Sequence, residues 1–102
     1  MPQEGKVAVR VEKDLAGLIP DFLRNREEDI RTLGDALAKN DFKAVWNLGH
    51  NLKGAGGSYG FAAITRMGAD IEKAASAGDA IEVQRLADEL ANFLSRVEIT
   101  YY

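Results

Sequence analysis

Along most of this chain the apolar side chains recur at steps of three and four, the period of amphipathic helices rather than of strands. From Lys13 onward, Leu15, Leu18 and Ile19 outline a short first helix that Pro20 ends or kinks. A longer helix follows, with Pro20 tolerated in its first turn, Asp21 adding a favourable negative charge there, and Leu23, Ile30, Leu33 and Leu37 as its inward stripe. Arg24, Asn25, Glu27, Glu28 and Arg31 take the solvent side. Lys39-Asn40-Asp41 breaks the pattern with a cation, a residue tolerant of left-handed geometry and an N-cap. The next helix starts at Phe42 and carries Val45, Trp46, Gly49 and Leu52, with Trp46 assigned to the core. After a glycine run, Phe61 or Ala62 opens a third helix whose inner face is Ile64, Met67, Gly68, Ile71, Ala74 and Ala75, with Arg66 and Asp70 spaced as an exposed i,i+4 pair. Gly78 ends it, and Asp79 with Glu82 forms a capping box for a last helix striped by Val83, Leu86, Leu90, Phe93 and Val97.

Short connections between helices of this length force neighbours to run antiparallel. The expected fold is therefore all-α: an antiparallel up-and-down four-helix bundle with a short extra N-terminal helix. The two ends have a different texture. Val7, Val9 and Val11 alternate with polar residues, and so does the stretch from Val97 to Tyr102. The ends could pair as a small ribbon, but an isolated two-stranded pair is marginal in water, so an extended or frayed segment is expected over residues 1–11.

Length and composition narrow the class without naming a function. A chain of 102 residues is one domain, 1–102, able to bury a single core. Its net charge of −3, with both signs interleaved, offers no basic footprint for nucleic acid or an anionic membrane. It has no cysteine and one histidine, which leaves no disulfide framework, no thiolate and no metal ligand set. The N-terminus has no signal-peptide core and no apolar run is long enough to span a bilayer, so the expected location is cytoplasmic.

The candidate chemistry lies in the second helix. Five of the ten glycines, Gly49, Gly54, Gly56, Gly57 and Gly60, crowd into it or its end. Each costs a helix about 1 kcal/mol relative to alanine, so the cluster calls for a reason. At about 100° per residue, Trp46, His50, Lys53, Gly54 and Gly57 share one strip at the border of the buried and solvated faces. Gly54 at i+4 leaves the imidazole of His50 uncovered and Lys53 at i+3 sets an ammonium beside it. A neutral imidazole is nucleophilic, and a nearby cation can hold a phosphoryl group attached to it. A structural histidine has no use for either neighbour. Gly49 and Gly56 lie nearer the apolar face, where they ease helix packing, while Gly60 suits a helix end and Tyr59 and Phe61 fit either core or docking surface. A nucleotide-binding loop is the rival reading of the glycines. It fails because the P-loop needs its lysine after the glycines and the dinucleotide fingerprint must follow a strand.

The run His50-Asn51-Leu52-Lys53-Gly54-Ala55-Gly56-Gly57-Ser58-Tyr59-Gly60-Phe61 resembles the signature of histidine-containing phosphotransfer (HPt) domains: His, any residue, Leu, Lys, Gly, small residues, then an apolar residue and Gly. It departs from that pattern at Tyr59, where an aliphatic residue is commoner, and in the Gly56-Gly57 pair. The resemblance implies a four-helix bundle that accepts a phosphoryl group on His50 from a receiver-domain aspartate and passes it to another receiver domain. Lys53 would stabilise the phosphoryl charge, and Gly54 and Gly57 would give clearance for receiver docking. The implied partners are response-regulator receiver domains and a hybrid sensor histidine kinase, with magnesium on the receiver and no cofactor intrinsic to this chain. It would be a carrier and not an enzyme, since nothing in it could bind ATP. The competing expectation is a helical interaction module that binds receivers or dimerises without being phosphorylated. Met1 and the short length favour a free-standing protein over a piece of a larger kinase.

Overall fold

The computed structural model describes residues 5–102, so the expectation for residues 1–4 lies outside the described residues. Strand β1 (Val7–Val11) leads through a 3-10 helix (Lys13–Leu18) into α1 (Ile19–Ala38), followed by α2 (Phe42–Tyr59), α3 (Ala62–Ser76), α4 (Ala80–Arg96) and β2 (Val97–Tyr101). The helices close a ring in which α1 packs on α2 and α4, and α3 packs on α2 and α4. This is the expected antiparallel four-helix bundle.

Three of the helix ends use one device. Asn40, Gly60 and Gly78 each adopt positive φ, at 53°, 81° and 65°. The next amide then turns back to a carbonyl five residues earlier: Asp41 to Ala36 at 2.8 Å, Phe61 to Gly56 at 2.8 Å and Asp79 to Ala74 at 2.9 Å. Left-handed residues of this kind satisfy carbonyls that the helix leaves orphaned. Asp41 and Asp79 then cap the following helices by accepting from the amides of Ala44 and Glu82. The capping box at Asp79 is half made. The Glu82 carboxylate turns away to Arg85, which reaches it from Nε at 2.8 Å and from Nη2 at 2.7 Å.

The core joins Leu33 and Ala36 of α1, Val45 and Leu52 of α2, Ile64, Met67 and Ile71 of α3 and Val83, Leu86, Leu90 and Phe93 of α4. Ile19 and Phe22 open the inward face of α1, whereas Leu23, Ile30 and Leu37 are only half-buried beside it. The short N-terminal helix is a single 3-10 segment with no buried residue, and Leu18 within it is exposed.

The ends correct the expectation of fraying. β1 and β2 pair in parallel, in a register that sets Val7 opposite Val97, Val9 opposite Ile99 and Val11 opposite Tyr101. The backbone ladder extends beyond them, with the amide of Tyr102 on the Val11 carbonyl and the amide of Lys13 on that of Tyr102. A parallel pair needs a long crossover, and the four helices supply it by returning the chain to the end where it began. The pair is not isolated either. Val7, Val9, Val97 and Ile99 pack against the core and Val11 is buried within it, which supplies the apolar burial that a free ribbon lacks.

Candidate functional site

The site is built where α2 and α3 touch through their backbones. A Cβ on Gly68 would lie 2.4 Å from the amide nitrogen of Lys53 and 2.6 Å from the carbonyl of Gly49. One on Gly49 would meet the amide nitrogen of Glu72 and the carbonyl of Gly68, both at 2.9 Å, and one on Gly56 would meet Thr65 at 2.6 Å. No side chain fits there, so Gly49, Gly56 and Gly68 explain themselves as the points of closest approach. This approach sets one helix against the other in register. Glu72, one turn beyond Gly68, is thereby carried over the seam to the strip that bears His50 and Lys53.

The Glu72 carboxylate bridges both residues. One oxygen lies 2.7 Å from Nδ1 of His50, and the other accepts from Nζ of Lys53 at 2.9 Å. Glu72 is largely buried at 13% side-chain exposure, against 57% for His50 and 41% for Lys53. The hydrogen bond from Lys53, and then that from His50, hold the Glu72 carboxyl below the usual carboxylate range, overcoming the opposing effect of burial. An ionised carboxylate has no proton to give, so Nδ1 must be the donor. A neutral imidazole held this way carries its proton on Nδ1 and keeps the lone pair of Nε2 free. The second carboxylate oxygen keeps the ammonium of Lys53 within the same cluster.

Trp46 completes the setting from the other side. It is 39% exposed and not in the core as expected, and its indole lies parallel to the imidazole at 5.2 Å between centroids and 7° between planes. The position one turn before His50 puts the two rings face to face, and that contact takes the place of core packing. Phe61 is buried and meets the ring of Phe22 at 4.8 Å between centroids, while half-buried Tyr59 meets the same ring at 4.5 Å, both pairs tilted by 31°. Tyr59, at the end of α2, and Phe61, at the N-cap of α3, therefore both pack against α1.

His50 and Lys53 are brought together as the sequence suggests. Gly54 and Gly57 lie exposed on the same strip, and a Cβ on either would meet nothing within 4 Å among the described residues. Gly57 also borders an open cavity of about 320 Å³ with Gly56, Gly60, Ala62 and Thr65. Glu72 is the residue that sequence reasoning missed. Its signal is an acid one turn after the inward Gly68, at the edge of the apolar stripe of α3.

Among the described residues no group of three or more His, Asp and Glu side chains is placed to hold a metal ion, and no helix is long and apolar enough to cross a membrane. Comparisons with curated proteins and with solved structures returned no significant match. The family model described as Hpt domain matches residues 17–99, from the end of the 3-10 helix through all four helices and into β2. With a bundle of four helices and a surface histidine on the second, the chain belongs to the Hpt domain family, the histidine phosphotransfer carriers of phosphorelays.

Proposed function

We propose that His50 is the phosphoryl acceptor of this domain, charged by the aspartyl phosphate of one receiver domain and discharged to another. The observation that supports this is the Glu72 bridge, which engages Nδ1 of a side chain that is 57% exposed and so leaves the other ring nitrogen, Nε2, for the phosphoryl group. In the forward step the Nε2 lone pair attacks phosphorus and the P–O bond to the receiver aspartate breaks. The electron pair of that bond stays with the aspartate as carboxylate. The Nδ1 proton remains where it is, so the ring gains positive charge as the N–P bond forms, next to the ionised Glu72. Lys53 offsets charge on the phosphoryl oxygens, and the missing side chains at Gly54 and Gly57 give the receiver room to approach. Magnesium and most of the catalytic groups belong to the receiver. The chain needs no cofactor of its own and acts as carrier rather than kinase, its phosphate originating in a hybrid sensor histidine kinase in the cytoplasm.

The test mixes the protein with a radiolabelled phosphoreceiver and magnesium. Wild type should acquire an acid-labile, base-stable label. His50→Gln, at a site more than half exposed, should fold normally and acquire none. Lys53→Ala should slow transfer or shorten the life of the phosphoform without abolishing acceptance. A label retained by His50→Gln would defeat the assignment, and receiver binding without any transfer would favour a non-phosphorylated interaction module.

A further inference from the structure

The Glu72 bridge fixes one edge of the imidazole, and the indole of Trp46 covers one of its faces. Trp46 sits four residues before His50, is 39% exposed, and lies within the distance range of offset aromatic stacks. Exposure of this size keeps the chain's one tryptophan out of the core, to which α2 contributes Val45 and Leu52 instead. The step proposed above gives the stack a use. When Nε2 bonds to phosphorus and Nδ1 keeps its proton, the ring becomes a cation, and a cation within about 6 Å of an indole centroid is attracted by its π-face. At 5.2 Å the indole stands within that range.

We propose that Trp46 is a positioning residue for phosphoryl transfer, holding the imidazole plane so that Nε2 faces outward and stabilising the positive charge that the ring acquires. This rests on His50 being the acceptor. The charged groups of the same cluster, Glu72 from α3 and Lys53 from α2, are joined to His50 and to each other by hydrogen bonds in which Trp46 takes no part.

A small phosphodonor separates this role from any contact between Trp46 and a receiver. With phosphoramidate, the Nε2–P bond forms, the P–N bond breaks, and ammonia leaves with its electron pair. The rate of His50 labelling is compared for wild type, Trp46→Leu and Trp46→Phe. Trp46→Leu keeps apolar bulk without a π-face and should label about two- to fivefold more slowly. Trp46→Phe keeps an aromatic face and should recover most of the loss. In wild type, the single tryptophan's emission should change in step with labelling, and in His50→Gln it should not. Equal rates for wild type and Trp46→Leu, equal rates for Trp46→Phe and Trp46→Leu, or an emission unmoved by labelling would each overturn the role of Trp46. A wild-type protein that is not labelled, or a label that survives in His50→Gln, would instead overturn the assignment of His50.

Discussion

The α2–α3 seam and the inner face of α4 are both buried, yet they are built on opposite principles. On α4, Val83, Leu86, Leu90 and Phe93 fill space with bulky side chains, so helix position is set by the interdigitation of many side chains. Along the seam, Gly49, Gly56 and Gly68 remove side chains altogether, and backbone atoms set the separation. The first arrangement supplies apolar burial. The second, at its glycine contacts, fixes where a residue on α3 stands relative to one on α2. A carboxylate that must lie 2.7 Å from one group and 2.9 Å from another belongs on the second kind of surface. In this molecule, the precision of the site is therefore drawn from the glycine contacts, and stability from the bulky side chains of the core around them.

Substitutions can pull the two apart. The largest effect on stability is expected from Leu90→Ala, which removes a fully buried side chain and should cost about 2–5 kcal/mol in denaturant unfolding. Molecules that remain folded should still accept phosphate at the wild-type rate. Gly68→Ala should cost less, about 1–3 kcal/mol, because the added methyl meets backbone that must shift. Its transfer rate should nevertheless fall more than that of Leu90→Ala, since the shift carries Glu72 away from His50. Unimpaired transfer in folded Gly68→Ala would remove the distinction between the interfaces. Gly54→Ala, on the open strip, should raise stability by up to ~1 kcal/mol through helix propensity while slowing transfer from a receiver.

The smallest effect is one of pH. Lys53 and His50 depress the folded-state pKa of Glu72, so its contribution to stability is present above the ordinary glutamate range and disappears as pH falls through the lowered folded value. The unfolding midpoints of wild type and Glu72→Gln, measured from neutral to acid pH, should therefore converge at the acid end. A gap that persists there would show that the carboxylate acts by shape and not by charge.

Much of this was legible from local pattern. Asn40, Gly60 and Gly78 marked the helix ends because left-handed geometry is a property of a single position, and the helical stripes followed from periodicity. Phe22 lay outside the expected stripe of α1, and Leu18, expected in the first helix, is exposed on the 3-10 turn. What stayed hidden depends on separated segments. β1 and β2 stand at opposite ends of the chain, and neither indicates a parallel partner until the bundle has returned the chain to its starting end. Trp46 has the spacing of a core residue, and only the neighbouring imidazole gives it another surface. Glu72 looked like any charged residue bordering a stripe. Its role emerges once Gly49 and Gly68 have met, because that contact is what delivers it to His50.

The α2–α3 seam places the Glu72 carboxylate on Nδ1, and the proposed transfer needs this to reserve Nε2 for phosphate. Long-range ¹H–¹⁵N NMR of the histidine ring tests it most directly, on the unphosphorylated protein with a neutral imidazole and again after labelling. The first state should show a proton on Nδ1, and the second a phosphoryl group on Nε2 with the Nδ1 proton retained. A proton on Nε2 before labelling, or a phosphoryl group on Nδ1 after it, would mean that the Glu72 carboxylate does not reserve Nε2 for phosphate.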